Sequence, residues 1–155
     1  MNKYLKLLIS IAIPLIIGYL GSFFTAVSVT DWYTTINKPP FNPPNWIFAP
    51  VWTLLFILIG LSFYLVWSKD FAQKKKLCLT IYSIQLILNL LWSALFFGLR
   101  NPLLGLVEIF VLWLSIITNI TVFYRISRAS GYLLIPYLLW VSFATILNFS
   151  IVILN

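Results

Sequence analysis

Lys38-Pro39-Pro40-Phe41-Asn42-Pro43-Pro44-Asn45-Trp46 separates two long apolar runs, and its reading decides how the chain divides. Four of the eight prolines fall between positions 39 and 44. Proline lacks the backbone N–H and clashes with the preceding turn, so no helix passes through this stretch. Leu5–Val27 before it and Trp46–Trp67 after it are therefore separate segments. The stretch is too aromatic for a plain flexible linker. A stiff loop of this kind, set beside a membrane bundle, is suited to covering something.

Composition says why the flanking runs belong in a membrane. Of 155 residues, 62% are hydrophobic and 8% charged, and the mean hydropathy is +1.02. A soluble domain carries roughly 25% charged residues. This chain lacks the material for such a surface. Three further apolar segments follow: Leu77–Phe97, Leu103–Tyr124 and Tyr132–Leu154. Each of the five has about 21–23 residues, roughly 32–35 Å as helix, enough to cross a bilayer with some tilt. Alternating strand patterning is absent, so the expected fold is all-α. It is a single domain over residues 1–155, a bundle of five transmembrane helices. Three connections are short, around Ser68–Lys76, Gly98–Pro102 and Arg125–Gly131. Only Ser28–Asn45 is long, and long loops in compact folds are usually functional or disordered.

The net charge of +7 has a topological reading. With the N-terminus cytoplasmic, the inner side carries Lys3, Lys6, Lys69, Lys74, Lys75, Lys76, Arg125 and Arg128. The outer side carries only Lys38 and Arg100, which completes the ten basic residues. The positive-inside rule then predicts an integral protein of the cell membrane, N-terminus in and C-terminus out. The same placement argues against a nucleic-acid partner. A signal peptide competes for the first segment, but its apolar run exceeds the usual h-region of about 7–15 residues. With one cysteine, Cys78, and no histidine, neither a disulfide framework nor a conventional metal site is expected within one chain.

Polar groups within the spans mark the candidate site. Asn89, Trp92, Ser93 and Phe96 share one helix face, with Gln85 a turn before. An unmatched buried amide costs about 1–3 kcal/mol, so this face should point into the bundle. Asn89 then serves either as glue between helices or as a contact to a ligand. The fifth segment offers a matching face in Trp140, Phe143, Ala144, Leu147 and Asn148. Trp52 lies just after Pro50 and one turn before Phe56. Trp32, Trp46 and Trp67 fit an interfacial belt, whereas Trp113, deep and without polar company, reads as a lipid or packing residue. Glu108, the one carboxylate well inside a span, is expected to pair with Arg100 near the interface, in preference to serving a proton relay. Gly18 and Ser22 have small-xxx-small spacing.

Taken in order, these residues resemble the translocator protein family, also called tryptophan-rich sensory proteins or peripheral-type benzodiazepine receptors. The matching motifs are Trp32-Tyr33, Lys38-Pro39, Pro43-Pro44-Asn45-Trp46 and Ala49-Pro50-Val51-Trp52. They continue with Leu88-Asn89 through Trp92, Phe96-Phe97-Gly98 and Arg100. They end with Pro136-Tyr137-Leu138 plus Trp140, and Phe143-Ala144-Thr145 before Leu147-Asn148. The resemblance implies a five-helix membrane protein, often a homodimer, that binds porphyrins and isoquinoline- or benzodiazepine-type ligands in a pocket capped by the first loop. Carried over by motif, the pocket comprises Trp52, Asn89, Trp92, Phe96, Trp140, Ala144 and Leu147, with Phe56 beside Trp52. Ser22 and Tyr33 serve as walls or lid, and Pro43, Pro44 and Trp46 belong to the lid. No cofactor is required, and porphyrin enters as ligand. The resemblance is to the bacterial branch. The mammalian cholesterol motif is not matched, because Phe149 stands at its tyrosine position and no basic residue follows.

Three functions follow as expectations. The first is a receptor for flat apolar tetrapyrroles, acting in tetrapyrrole or stress signalling. The second is light-dependent porphyrin degradation, with Trp52 and Trp140 as oxidisable neighbours of the ligand. Ordinary acid–base catalysis is poorly provided for without histidine. The third is a transporter of porphyrins or other small apolar molecules.

Overall fold

The computed structural model describes residues 1–69 and 71–155. Asp70, in the second connection, lies outside the described residues. Among the described residues, five helical stretches are long and apolar enough to cross a membrane: Lys3–Val29, Asn45–Trp67, Ala72–Gly98, Pro102–Ile126 and Arg128–Leu154. All five expected spans are present, each somewhat longer than hydropathy alone suggests. Helix α1 is Lys3–Val29, α2 is the short Trp32–Thr35 in the long loop, and α3 is Asn45–Trp67. Helix α4, Lys75–Ser93, continues into a π-helical turn over Ala94–Gly98. Helix α5 is Pro102–Ile126, α6 is Arg128–Leu133 and α7 is Ile135–Leu154.

Local chemistry sets the ends. Asn2 caps α1 by accepting from the Tyr4 amide at 3.0 Å. Asn101 caps α5 by accepting from Leu104, with Pro102 in the first turn, where its missing N–H costs nothing. The connection expected at Arg125–Gly131 is largely helical. Ser127 ends α5 and starts α6, so a span that hydropathy begins at Tyr132 starts a turn earlier, at Arg128.

Around the bundle, α1 packs on α3 and α4, α5 packs on α4 and α7, and α6 tucks against α3 and α5. At the end away from the long loop the packing is dense. The Phe63 and Tyr82 rings stack at 4.4 Å, with Phe123 beside them. Ser62 and Ser130 each donate a hydroxyl hydrogen bond to the other's carbonyl at 2.8 Å. A Cβ on Gly60 would sit 2.6 Å from the Ser10 carbonyl oxygen, so only glycine lets α3 approach α1 this closely. The outer surface is apolar: Leu8, Ile16, Val107, Leu114, Leu139 and Ile153 are all more than half exposed. Such a surface suits lipid rather than water.

Candidate ligand-binding site

At the loop end the bundle opens into a cavity of about 530 Å³ between α1, α3, α4 and α7. The ten residues expected to bind ligand all line it. Trp52 and Phe56 come from α3 and stack at 5.6 Å. Asn89 and Trp92 come from α4, and Phe96 from the π-helical turn that follows. Trp140, Ala144 and Leu147 come from α7, Ser22 from α1 and Tyr33 from α2.

The π-helical turn explains how Phe96 and Phe97 both come to be buried. The Leu99 amide donates to Ala94 five residues back, at 2.8 Å. This widened turn rotates the chain enough to direct two successive rings inward, and such bulges recur at functional sites. Phe96 then stacks on Trp92 at 5.0 Å.

Hydrogen bonds between helices hold the walls. Asn89 Nδ2 donates to the Tyr137 hydroxyl at 2.8 Å, linking α4 to α7 while the Asn89 side chain also lines the cavity. The two readings of this residue, glue and wall, therefore coexist. Trp92 Nε1 donates to Asn148 Oδ1 at 3.2 Å, and Asn148 Nδ2 donates to the Pro102 carbonyl at 2.8 Å. Trp140 Nε1 is buried without a partner among the described residues. Among the described residues, none in the lining carries a charge, so the site selects for shape, aromatic surface and a few hydrogen bonds.

The roof is the long loop. Tyr33 is only 3% exposed, and its hydroxyl donates to Asn42 Oδ1 at 2.8 Å. Burial pushes the Tyr33 phenol up to about 12, against a smaller lowering from that hydrogen bond. Lys38 Nζ donates to the Tyr33 and Ile36 carbonyls and lies 4.7 Å from the Tyr33 ring centre. Asn37 pairs with the end of α7 through Leu154 and Asn155.

Matched against the family models, residues 10–154 fit the TspO/MBR family. The chain belongs to that family. It is 52% identical over 151 residues to the tryptophan-rich protein TspO of Archaeoglobus fulgidus, covering 97% of each chain. It is 46% identical to the protein of that name from Chlorobaculum tepidum, across 100% of this chain and 99% of the relative. Identity to the human translocator protein is 34%, over 86% of this chain and 80% of the relative. These two prokaryotic relatives are more similar to the chain than the human protein is.

In this TspO-family protein, two expectations need correction. Arg100 does not pair with Glu108. Its Nη2 lies 3.0 Å from Asp31 Oδ2, because Arg100 sits at φ 52 in a turn beside the end of α1. Glu108 faces the bundle interior, and neither carboxyl oxygen has a partner among the described residues. Trp113 is not merely a packing residue, since its Nε1 donates to Ser142 Oγ at 2.8 Å. Pro43, Pro44 and Trp46, expected in the lid rather than the wall, are not among the lining residues, and Trp46 is 74% exposed. The prolines shape the loop, while Tyr33, Phe48 and Asn45 meet the cavity.

Sequence reasoning missed Phe48, Thr25, Ala26, Ala49 and Thr53 as lining residues. Phe48 precedes and Ala49 opens a quoted motif, a signal that was available. Thr25 and Ala26 had none, because small residues on an apolar helix look alike on every face.

Proposed function

We propose that this protein is a membrane receptor for porphyrins of the protoporphyrin type, and for isoquinoline- or benzodiazepine-like ligands of similar flatness. The observation that carries this reading is the uncharged cavity of about 530 Å³, lined by Trp52, Trp92, Trp140 and Asn89. Its size falls in the range of small-molecule sites, about 300–1,000 Å³. Indole faces suit a flat conjugated ring, and Asn89 supplies a polar anchor. The bilayer is the medium that delivers and dissolves such a ligand. A homodimer in the bacterial cell membrane, with the N-terminus cytoplasmic, accompanies this reading, as does a role in tetrapyrrole or stress signalling.

The test is quenching of tryptophan fluorescence by protoporphyrin in the purified protein. Asn89→Ala and Trp140→Phe should each weaken binding by about tenfold, the equivalent of one buried polar or aromatic contact. Unchanged affinity in both variants would overturn the reading. Illumination of the same samples tests a second function, light-dependent degradation. It draws support from Trp52 and Trp140, two oxidisable indoles lining the cavity. Porphyrin decay no faster than in empty detergent would remove it. Transport is the weaker alternative, because Glu108, the one buried carboxylate among the described residues, lies outside the cavity lining.

A further inference from the structure

The cavity is closed above and on two sides. Above, Tyr33, Lys38 and Asn37 tie the loop to itself and to α7. Toward α4, Gly21 lies against Ser93, Gly98 against Phe24, and Ser28 Oγ donates to the Phe97 carbonyl at 2.6 Å. Toward α7, Phe48 meets Trp140 at 6.1 Å and Trp52 meets Tyr137 at 6.3 Å.

The remaining side lies between α1 and α3. These antiparallel helices touch at Gly60, against the Ser10 and Ile11 backbone, and again at Gly18, against the Phe56 ring. Beyond Gly18 the register continues toward the loop with Ser22 and Ala26 on α1 and Ala49 and Thr53 on α3. All four line the cavity, and all four are exposed. All four are also small, so little side-chain mass stands between inside and outside. The rim around them is apolar or aromatic: Tyr19 is 65% exposed, and Phe23 and Leu54 are each more than half exposed. Ser22 lies seven residues from the loop end of α1, about 10 Å along the helix, so the opening faces lipid rather than bulk water.

We propose that the seam between α1 and α3, edged by Ser22, Ala26, Ala49 and Thr53, is a lateral portal that admits apolar ligands to the cavity directly from the bilayer. It rests on the ligand-binding reading above and adds a route to it. The hydrogen-bonded loop then acts as a fixed roof, and association follows the ligand's concentration in the membrane.

The test uses the full chain in phospholipid nanodiscs, with stopped-flow quenching by protoporphyrin. Thr53→Cys is modified with a benzyl methanethiosulfonate, which places a removable ring in the seam. Wild type treated identically controls for Cys78, which is buried. Ala26→Trp narrows the seam independently, and Pro43→Gly with Pro44→Gly loosens the roof. The portal predicts that modified Thr53→Cys and Ala26→Trp slow association and dissociation together by about tenfold or more. Reductant restores the Thr53→Cys rates, and the loop variant associates within about twofold of wild type. Unchanged rates in both seam variants, or markedly faster association in the loop variant, would overturn the portal while leaving the binding reading intact. If wild type shows no quenching at all, the binding reading fails and the portal with it.

Discussion

The two ends of the bundle are built from the same residue types and do opposite things. Away from the loop, Phe63, Tyr82 and Phe123 stack face to face, Gly60 brings α3 onto the α1 backbone, and the paired serines 62 and 130 clamp α3 to α6. At the loop end the aromatic side chains stand around a hollow instead. A cavity leaves its lining without contacts on one side and so carries a stability cost. The dense end offsets it. The difference teaches that aromatic content alone predicts neither a core nor a site; how closely the helix axes approach decides.

The comparison breaks most readily at the dense end. Phe63→Ala should cost about 3–5 kcal/mol, as expected for a large buried aromatic. It should lower the thermal midpoint in detergent strongly while leaving ligand affinity in the surviving folded fraction nearly unchanged. A comparable loss of affinity at every concentration of folded protein would mean that the two ends are one cooperative unit.

A smaller effect is expected at the roof. The Tyr33 phenol is held at about 12, above its ordinary 10.0, mainly by burial. A raised value means the fold favours the neutral phenol. Its contribution to loop closure is therefore complete below pH 10 and is lost as pH rises toward 12. Tyrosinate absorbance should lose a late-titrating component in Tyr33→Phe, with loop proteolysis increasing over the same interval in wild type. Titration of Tyr33 at the ordinary value would contradict the closed roof.

The smallest effect belongs to the Arg100–Asp31 bridge. Its side chains are 41% and 68% exposed, and such pairs are worth about 0–1 kcal/mol and weaken with salt. Arg100→Ala should shift the thermal midpoint little, and less at high ionic strength. A large shift would show that this contact, rather than Tyr33 and Asn37, secures the roof.

Much of the site was legible because two kinds of signal are local. Helical spacing alone put Asn89, Trp92 and Phe96 on one face, and the quoted motifs supplied Trp52, Trp140, Ala144 and Leu147. Phe48 could have been found beside them. What escaped was pairing across helices. Glu108 and Arg100 are close along the chain, yet Arg100 meets Asp31, because φ 52 turns it away. Trp113 finds Ser142 on a helix that hydropathy cannot orient relative to its own. The loop prolines stiffen the roof without touching the cavity, a distinction that composition does not contain.

The sequence by itself determined five helices, one long stiff loop and the residue types of an uncharged aromatic site. Each follows from the bilayer's demand for apolar, internally hydrogen-bonded segments and from proline's missing N–H. Only the tertiary structure decided which faces meet, where the bundle stays hollow and which seam is left open. In a membrane, lipid-facing and core-facing residues are alike apolar, so rotation and register emerge only when the helices pack.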